Sequence, residues 1–408
     1  MNSSIKIAFV PTEYLPLPPI KGGAVEQWIQ NVSERLAERN ENEIYVFSIY
    51  EKSLGFHNRV NNINYNRFKP GIISKILLCT YKLPFKNDAS RFLQFPYSFW
   101  CAYKLSRIKP NIIHIHNRPQ FVWIIRLLNP KSRIILHLHQ VSAIEDSKIL
   151  WNKELFNQVD LFVGCSQFIV NEIVNRFPLL KQKTEVIYNG IDISKHSFIW
   201  DNIKEREILR KNLNINKEIV LLYVGRLTEP KGCHILIEAV KILIRKGNVN
   251  IRLIICGGSG YSDNTTTNYV KRLHKITEGI NENINFVGYI KHDEMIMYYK
   301  IADFVVIPSI VEEGFCVVTL ESMAIGIPII ANAKGALPEI IDNGKNGVLV
   351  YDFSPEALAN KIENIISNNN IHYANNGRKT VENKFNWNGI VETLENVYRE
   401  RVINAHNN

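Results

Sequence analysis

The chain has 408 residues, 46% apolar and 22% charged, with a formal net charge of +10. That length exceeds one ordinary core, so two domains are expected, and the composition excludes a disordered or collagen-like chain. No apolar run reaches the roughly 18 residues that span a bilayer. The opening Met-Asn-Ser-Ser-Ile-Lys lacks a signal-peptide layout. The six cysteines (Cys79, Cys101, Cys165, Cys233, Cys256, Cys316) show neither CxxC nor metal-ligand spacing. A reducing, cytoplasmic setting fits.

Short apolar strands alternate with helical stretches, the pattern of an α/β protein with parallel sheets. In the first half, strands are predicted at Lys6–Val10, Glu43–Ile49, Ile112–His116, Ile134–His139, Leu161–Cys165 and Glu185–Tyr188, with helices at about Ala24–Arg39 and Gln167–Arg176. The turn signal Asn189-Gly190-Ile191-Asp192 suggests a hinge. In the second half, strands are predicted at Ile219–Val224, Ile251–Cys256, Ile284–Val287, Phe304–Ile307, Ile327–Ala331 and Gly347–Val350, making two sheets of about six strands each. The Asn-rich residues 366–377 read as a loop, and Phe385–Val402 as an amphipathic helix.

The charge is uneven. Residues 1–195 hold 25 basic and 15 acidic side chains, a net +10, whereas 196–408 hold 24 of each. Within 52–133 the count is 15 basic to one acid, Asp88, among the aromatics Phe85, Phe92, Phe95, Tyr97, Phe99, Trp100 and Tyr103. Basic residues interleaved with aromatics suit an anionic membrane surface better than a nucleic acid; a solvated basic face over core aromatics is the plainer alternative.

Several loops could carry chemistry. Gly225-Arg226-Leu227-Thr228-Glu229-Pro230-Lys231-Gly232 follows a strand and precedes a helix, so Arg226 and Lys231 bring two cations to a helix N-terminus, a diphosphate site. It is neither a Walker A loop nor GxGxxG, which counts against a P-loop ATPase and a dinucleotide oxidoreductase. After Phe304–Ile307, Pro308-Ser309 leads to Glu312, Glu313 and Gly314; a helix opens near Cys316, Glu321 stands eight residues past Glu313, and a second glycine loop ends at Glu339. Acceptor carboxylates beside helix-end donors suit a polyhydroxylated ligand that also carries phosphate. Gly22-Gly23 before a helix form another phosphate-receiving N-terminus. His114, His116, His137 and His139 form two His-x-His pairs, each sharing a strand face. No carboxylate or cysteine has matching spacing, so no metal is expected there.

The stretch 309–342, with Glu313-x7-Glu321, Gly314-Phe315 and the Gly335-Ala336-Leu337-Pro338-Glu339 loop, closely resembles the signature of retaining glycosyltransferases of the large family 4. The resemblance covers nearly the whole chain, most strongly 219–350. It implies the α/β GT-B architecture: two Rossmann-like domains facing a cleft, 1–195 on the acceptor side and 196–384 binding the nucleotide sugar, with a C-terminal helix in 385–408 crossing back to the first domain. By the same resemblance, Gly225, Arg226 and Lys231 hold the donor diphosphate, Glu321 the ribose, and Glu313 the transferred sugar, Glu312 remaining a second candidate. Gly314, Phe315 and Cys316 turn backbone N–H groups to sugar or phosphate, Gly288 and Tyr289 meet the nucleobase, and Gly22 and Gly23 close over the substrates. His139 hydrogen-bonds the donor sugar or the acceptor, with His137 an alternative two residues away; Asn117-Arg118-Pro119 line the acceptor side. The chain departs from the family at Cys316, where a small residue is usual, and at Gly335-Ala336, where Gly-Gly is usual.

The implied reaction moves a sugar from a nucleoside diphosphate to a glycan, lipid-linked or surface-polymer acceptor, with no metal or other cofactor and no nucleic acid partner. The branch resembled includes bacterial spore-coat and cell-surface polysaccharide transferases. A non-enzymatic coat or scaffold protein of the same fold and a nucleotide-sugar 2-epimerase are the alternatives; a scaffold has no need of Arg226, Lys231, Glu313 and Glu321 together.

Overall fold

The computed structural model describes residues 5–39, 42–71, 89–145, 153–247, 250–260, 265–367 and 370–403, with side chains from residue 95 onward in the helix that opens at Ala89. The expectations for Cys79, Phe85 and Asp88 fall outside the described residues, as does the side chain of Phe92. The chain divides into two compact units, Met1–Tyr188 with Trp387–Asn408, and Asn189–Asn386. The Asn189-Gly190-Ile191-Asp192 turn belongs to the second unit, where the Ile191 amide donates to the Phe385 carbonyl at 2.7 Å.

Among the described residues, the first unit is built on eight strands: β1 (Ile5–Val10), β2 (Asn42–Ile49), β3 (His57–Val60), β4 (Ile63–Phe68), β5 (Ile112–His116), β6 (Arg133–Leu138), β7 (Leu161–Gly164) and β8 (Thr184–Val186). Their order is β3-β4-β2-β1-β5-β6-β7-β8, with every pairing parallel except β3 against β4. Two strands exceed expectation. In β4 the alternation Ile63, Tyr65, Arg67 faces inward, and the buried guanidinium of Arg67 disguises the period-2 pattern. Arg67 Nε donates to the Leu17 carbonyl and Nη1 to the Leu54 carbonyl and Asn58 Oδ1, while Nη2 is buried without a partner among the described residues.

Helix Ala24–Glu38 buries Trp28, Ile29, Val32 and Leu36, one stripe at helical spacing, against the sheet. The same core takes Trp387, Ile390, Val391 and Leu394 from helix Trp387–Val397, and Tyr398 and Val402 from the helical turns that follow. The segment Trp387–Val402 is thus part of the first unit's core.

Among the described residues, the second unit has six parallel strands: β9 (Ile219–Val224), β10 (Ile251–Cys256), β11 (Ile284–Gly288), β12 (Phe304–Ile307), β13 (Ile329–Asn332) and β14 (Val348–Val350), in the order β11-β10-β9-β12-β13-β14. Continuous apolar runs such as Ile-Val-Leu-Leu-Tyr-Val suit strands covered on both faces. The Asn-rich stretch is mainly helix, not loop: Ile371–Lys384 is helical and buries Ala374, Gly377 and Val381. A Cβ on Gly377 would lie 3.1 Å from Met323 Cγ, so tertiary packing outweighs the weak helix propensity of Asn and Gly.

In each sheet the chain reverses its direction of growth once, between β1 and β5 and between β9 and β12. Loops at the carboxyl ends of strands flanking such a reversal are where open α/β sheets bind ligands. The expected site residues lie on these loops and their neighbours.

Candidate functional site

In the second unit, β9 runs into Gly225–Gly232 and β12 into Pro308–Glu313. Gly232 has φ +71°, and a Cβ there would collide with the Pro308 carbonyl oxygen, so the two loops pack backbone to backbone. This contact carries Lys231 to the other loop. Its Nζ lies 2.5 Å from Glu313 Oε1, and the same oxygen accepts from Ser309 Oγ at 2.6 Å. Glu313 is largely buried; Glu312 is exposed and faces Lys334 at 3.5 Å. The geometry therefore brings Glu313, not Glu312, to the cation.

Gly335 fixes the far side of the loop. At φ +59° its missing Cβ would run into the Glu313 backbone, and the Ala336 amide donates to the Glu313 carbonyl at 2.8 Å. The close approach occurs at Gly335; the methyl of Ala336 is fully buried without displacing it. Arg226 is exposed, and its carbonyl accepts from Tyr223 Oη at 2.9 Å. Gly288, at φ +83°, ends β11 and accepts from the Gly257 amide; Tyr289 follows, half-buried.

Helix Val317–Ile325 begins after Cys316, with no side chain capping its N-terminus. Burial pushes the Cys316 thiol up to about 11, so it stays protonated and behaves as a small hydrophobe. The Phe315 ring packs edge-on against Phe385, 5.8 Å between centroids. Glu321, buried on this helix, already accepts from Tyr299 Oη at 2.5 Å and has His292 Nδ1 3.6 Å from its other oxygen. Burial, with Glu321 beside it, holds the Tyr299 phenol well above its usual value, so it remains a donor. One oxygen of Glu321 is thus committed to the protein. Sequence reasoning missed Tyr299, whose partner Glu321 lies 22 positions on, and gave Ser309 no role although Glu313 is only four positions away.

In the first unit, the loop after β1 carries a buried acid–base group. Glu13 accepts from Arg118 Nε at 2.8 Å and Nη2 at 3.1 Å, a buried two-point pair, and Arg118 stacks over Tyr14. Arg118 therefore serves inside the fold, as do Arg67 and, against Asp160, Arg126 and Arg133. Four of the fifteen basic residues in 52–133 are thus held within the fold. Gly22 and Gly23 have φ +76° and +104°, and a Cβ on Gly23 would overlap the carboxyl of Glu26. Burial raises Glu26 to about 7 against the lowering influence of its own backbone, Arg118 and Thr12. Nothing in the sequence marks this residue beyond its place on an amphipathic helix.

His114, His116 and His137 are fully buried, and His139 opens the loop after β6. The His139 amide donates to Asn117 Oδ1 at 2.7 Å, and Asn117 adopts φ +54°. One ring nitrogen from each of His114, His116 and His137 lies within 4.8 Å of the others. The five described cysteines are buried free thiols. Among the described residues, no helix is long and apolar enough to cross a membrane.

Comparison with known proteins decides the family. Residues 205–384 match the family described as Glycosyl transferases group 1, and residues 22–195 match Glycosyltransferase Family 4. The chain is a glycosyltransferase of this family. It is 28% identical to spore coat protein SA of Bacillus subtilis, over 97% of this chain and 100% of that protein. It is also 28% identical to a lipopolysaccharide 1,2-N-acetylglucosaminetransferase of Salmonella typhimurium, over 96% and 97%. Its fold resembles Anabaena HepE, crystallised with UDP and glucose, at a TM-score of 0.75 and 21% identity, covering 97% of this chain and 100% of that one. The glycosyltransferase therefore has the GT-B fold, as expected.

Proposed function

We propose that this glycosyltransferase moves a sugar from a nucleoside diphosphate donor to a glycan or lipid-linked acceptor, with retention of configuration and without a metal ion. The observation that carries the reading is Lys231 held on Glu313, whose same oxygen accepts from Ser309, at the reversal point of the second sheet. A diphosphate arriving there meets Lys231, with Arg226 on the same loop. Charge grows on the leaving phosphate as the glycosidic bond breaks, so fixed cations stabilise the transition state more than the ground state. That is the work a divalent metal does elsewhere. Lys231 then shares its contact between phosphate and Glu313, whose carboxylate accepts from hydroxyls of the transferred sugar. Glu321, with one oxygen fixed by Tyr299, takes a ribose hydroxyl; Gly288 and Tyr289 offer backbone to the base. In the first unit Gly22 and Gly23 offer a helix N-terminus to phosphate; in the second, backbone N–H groups of Gly314, Phe315 and Cys316 face sugar or phosphate. His139 hydrogen-bonds the sugar or the acceptor. The acceptor attacks from the face that the phosphate leaves, and the departing phosphate oxygen takes its proton.

The UDP and glucose bound by HepE support a nucleotide-sugar donor, and the name of the Salmonella relative supports a polysaccharide acceptor. Incubation with UDP-, GDP-, ADP- and dTDP-sugars in EDTA, following nucleotide release and the anomeric coupling of the product by NMR, tests the whole reading. Release from one donor class with retained configuration is expected. An inverted product or an absolute need for Mg2+ overturns the corresponding part.

The same reading places the enzyme in the cytoplasm, touching the inner face of the membrane. Phe95, Phe99 and Tyr103 recur every four residues on helix Ala89–Ile108 and are 68%, 49% and 46% exposed. A groove of about 750 Å³ nearby is lined by Arg59, Lys104 and Arg107 among others. Aromatics beside cations suit an anionic headgroup layer. Co-sedimentation with phosphatidylserine vesicles at low salt, weakened in Phe95→Ser/Phe99→Ser, is expected; indifference to anionic lipid refutes the contact.

A further inference from the structure

The four histidines line one face of adjacent strands in the first unit, since β5 and β6 pair His116 with His137. Their rings are stacked: His114 on His116 at 4.6 Å and 8°, His116 on His139 at 5.3 Å and 22°, His137 on His139 at 4.0 Å and 28°. The indole of Trp28 lies against all four, 4.9 to 6.1 Å away. Burial lowers all four, His139 to about 3, and the rings lower one another; among the described residues no carboxylate stands with them to favour a charge. All four are neutral at physiological pH, so each ring has one N–H and one lone pair.

A metal ion is the first thought for three nitrogens within 4.8 Å. The ring planes argue against it. His114, His116 and His137 lie within 8° to 35° of parallel, so their in-plane lone pairs run side by side instead of meeting at a point. Three neutral ligands would also leave a divalent charge unbalanced in a dry core.

The hydrogen bonds give a different account. Tyr398 Oη lies 2.7 Å from His114 Nδ1, His114 Nε2 lies 3.2 Å from His137 Nδ1, and His116 Nδ1 lies 3.0 Å from His139 Nε2. Among the described residues, His116 Nε2 is buried without a partner. An orphaned buried N–H is rarer than an orphaned acceptor, so the orphan nitrogen is the bare one. The His116 proton then sits on Nδ1 and is donated to His139 Nε2.

We propose that His116 is a positioning residue that fixes His139 as the neutral Nδ1–H tautomer. His139 then presents a donor to a sugar or acceptor hydroxyl, and its lone pair is already engaged, so it is not the base of the reaction. This use of the tautomer rests on the role proposed above for His139; the tautomer itself does not.

Long-range 1H–15N correlation on the full-length protein, labelled with 15N-histidine, reads the tautomer directly. His139 is expected to carry its proton on Nδ1 from pH 8 to pH 5. His116→Asn, which keeps an amide N–H near the place of Nδ1, retains that state and most of the turnover. His116→Leu lets His139 exchange between tautomers and lowers kcat about tenfold, the loss of one hydrogen bond's orientation, with donor KM within about twofold. A proton on Nε2 in the wild type, a cationic His139 at pH 6, or an unchanged tautomer in His116→Leu overturns the proposal. If His139→Ala leaves turnover intact while the Nδ1–H tautomer is observed, the role given to His139 in transfer fails and the assignment to His116 stands.

Discussion

Replacing Glu26 by Gln should stabilise the first unit, by an amount that grows as pH rises from about 4.5 to about 7. In the fold, burial holds Glu26 at about 7, against 4.5 for an ordinary glutamate. Below pH 4.5 both folded and unfolded chains keep the proton, and burial of the neutral acid costs little. Between 4.5 and 7 the unfolded chain releases its proton while the folded one does not, so stability falls as pH rises and levels off above the folded value. A shift of about 2.5 units at about 1.36 kcal/mol each amounts to about 3 kcal/mol. Glutamine keeps the shape and a donor but has no proton to lose. Urea titrations at pH 5, 6, 7 and 8, with hydrogen exchange of helix Ala24–Glu38 reporting the first unit alone, measure the difference between wild type and variant. It should grow from about 1 kcal/mol at pH 5 towards about 3 kcal/mol at pH 8. A difference that does not change with pH would show that Glu26 is ionised in the fold, and the argument from burial would be wrong.

The remaining expectations concern both units. Lys231→Ala removes the cation from Glu313 and the diphosphate, and nucleotide release should fall about 100-fold or more; a normal rate would remove Lys231 from the site. Tyr299→Phe frees one oxygen of Glu321 and should weaken nucleoside diphosphate binding about fivefold to tenfold by calorimetry; unchanged affinity would separate Glu321 from the ribose. Gly232→Ala forces a methyl onto the Pro308 carbonyl and should cost about 2 kcal/mol or more, read as a lower Tm; an unshifted Tm would contradict the tight loop contact. The four neutral histidines, lowered by burial, contribute stability above their unfolded value of 6.5, lost as pH falls below it. His137→Leu should flatten the decline between pH 6.5 and 5, and an equally steep decline would show that the ring is not held neutral.

The second unit was the easier half to read. Strands β9, β10 and β12 fall at the expected residues because they are covered on both faces and written as unbroken apolar runs. In the first unit β3 and β4 escaped notice because β3 is exposed and β4 buries an arginine. The helix Ile371–Lys384 was hidden by asparagines whose local preference is for loops. At the site, the spacing of Lys231, Glu313 and Glu321 was legible, since loops fixed by glycine leave a pattern in the chain. Their partners were not. Lys231 meets Glu313 across 82 positions, and Tyr299 meets Glu321 between neighbouring helices. Arg118 looked like a surface ligand because its carboxylate, Glu13, lies 105 positions away.

The helix Trp387–Val397 lies in the first unit's core although the whole second unit comes before it in the chain. Synthesis runs in the opposite order of need. As the polypeptide leaves the ribosome, residues 189–386 emerge as one uninterrupted piece able to complete their own interior. The β-sheet made earlier must wait with Trp28 and its neighbours uncovered until the end of the chain is translated. At about 5–20 residues per second, some 200 intervening residues keep that seam open for tens of seconds, the interval in which a nascent chain is most exposed to chaperones and to aggregation. A stop codon before Trp387 would therefore damage the first half of the molecule, not the part nearest the break.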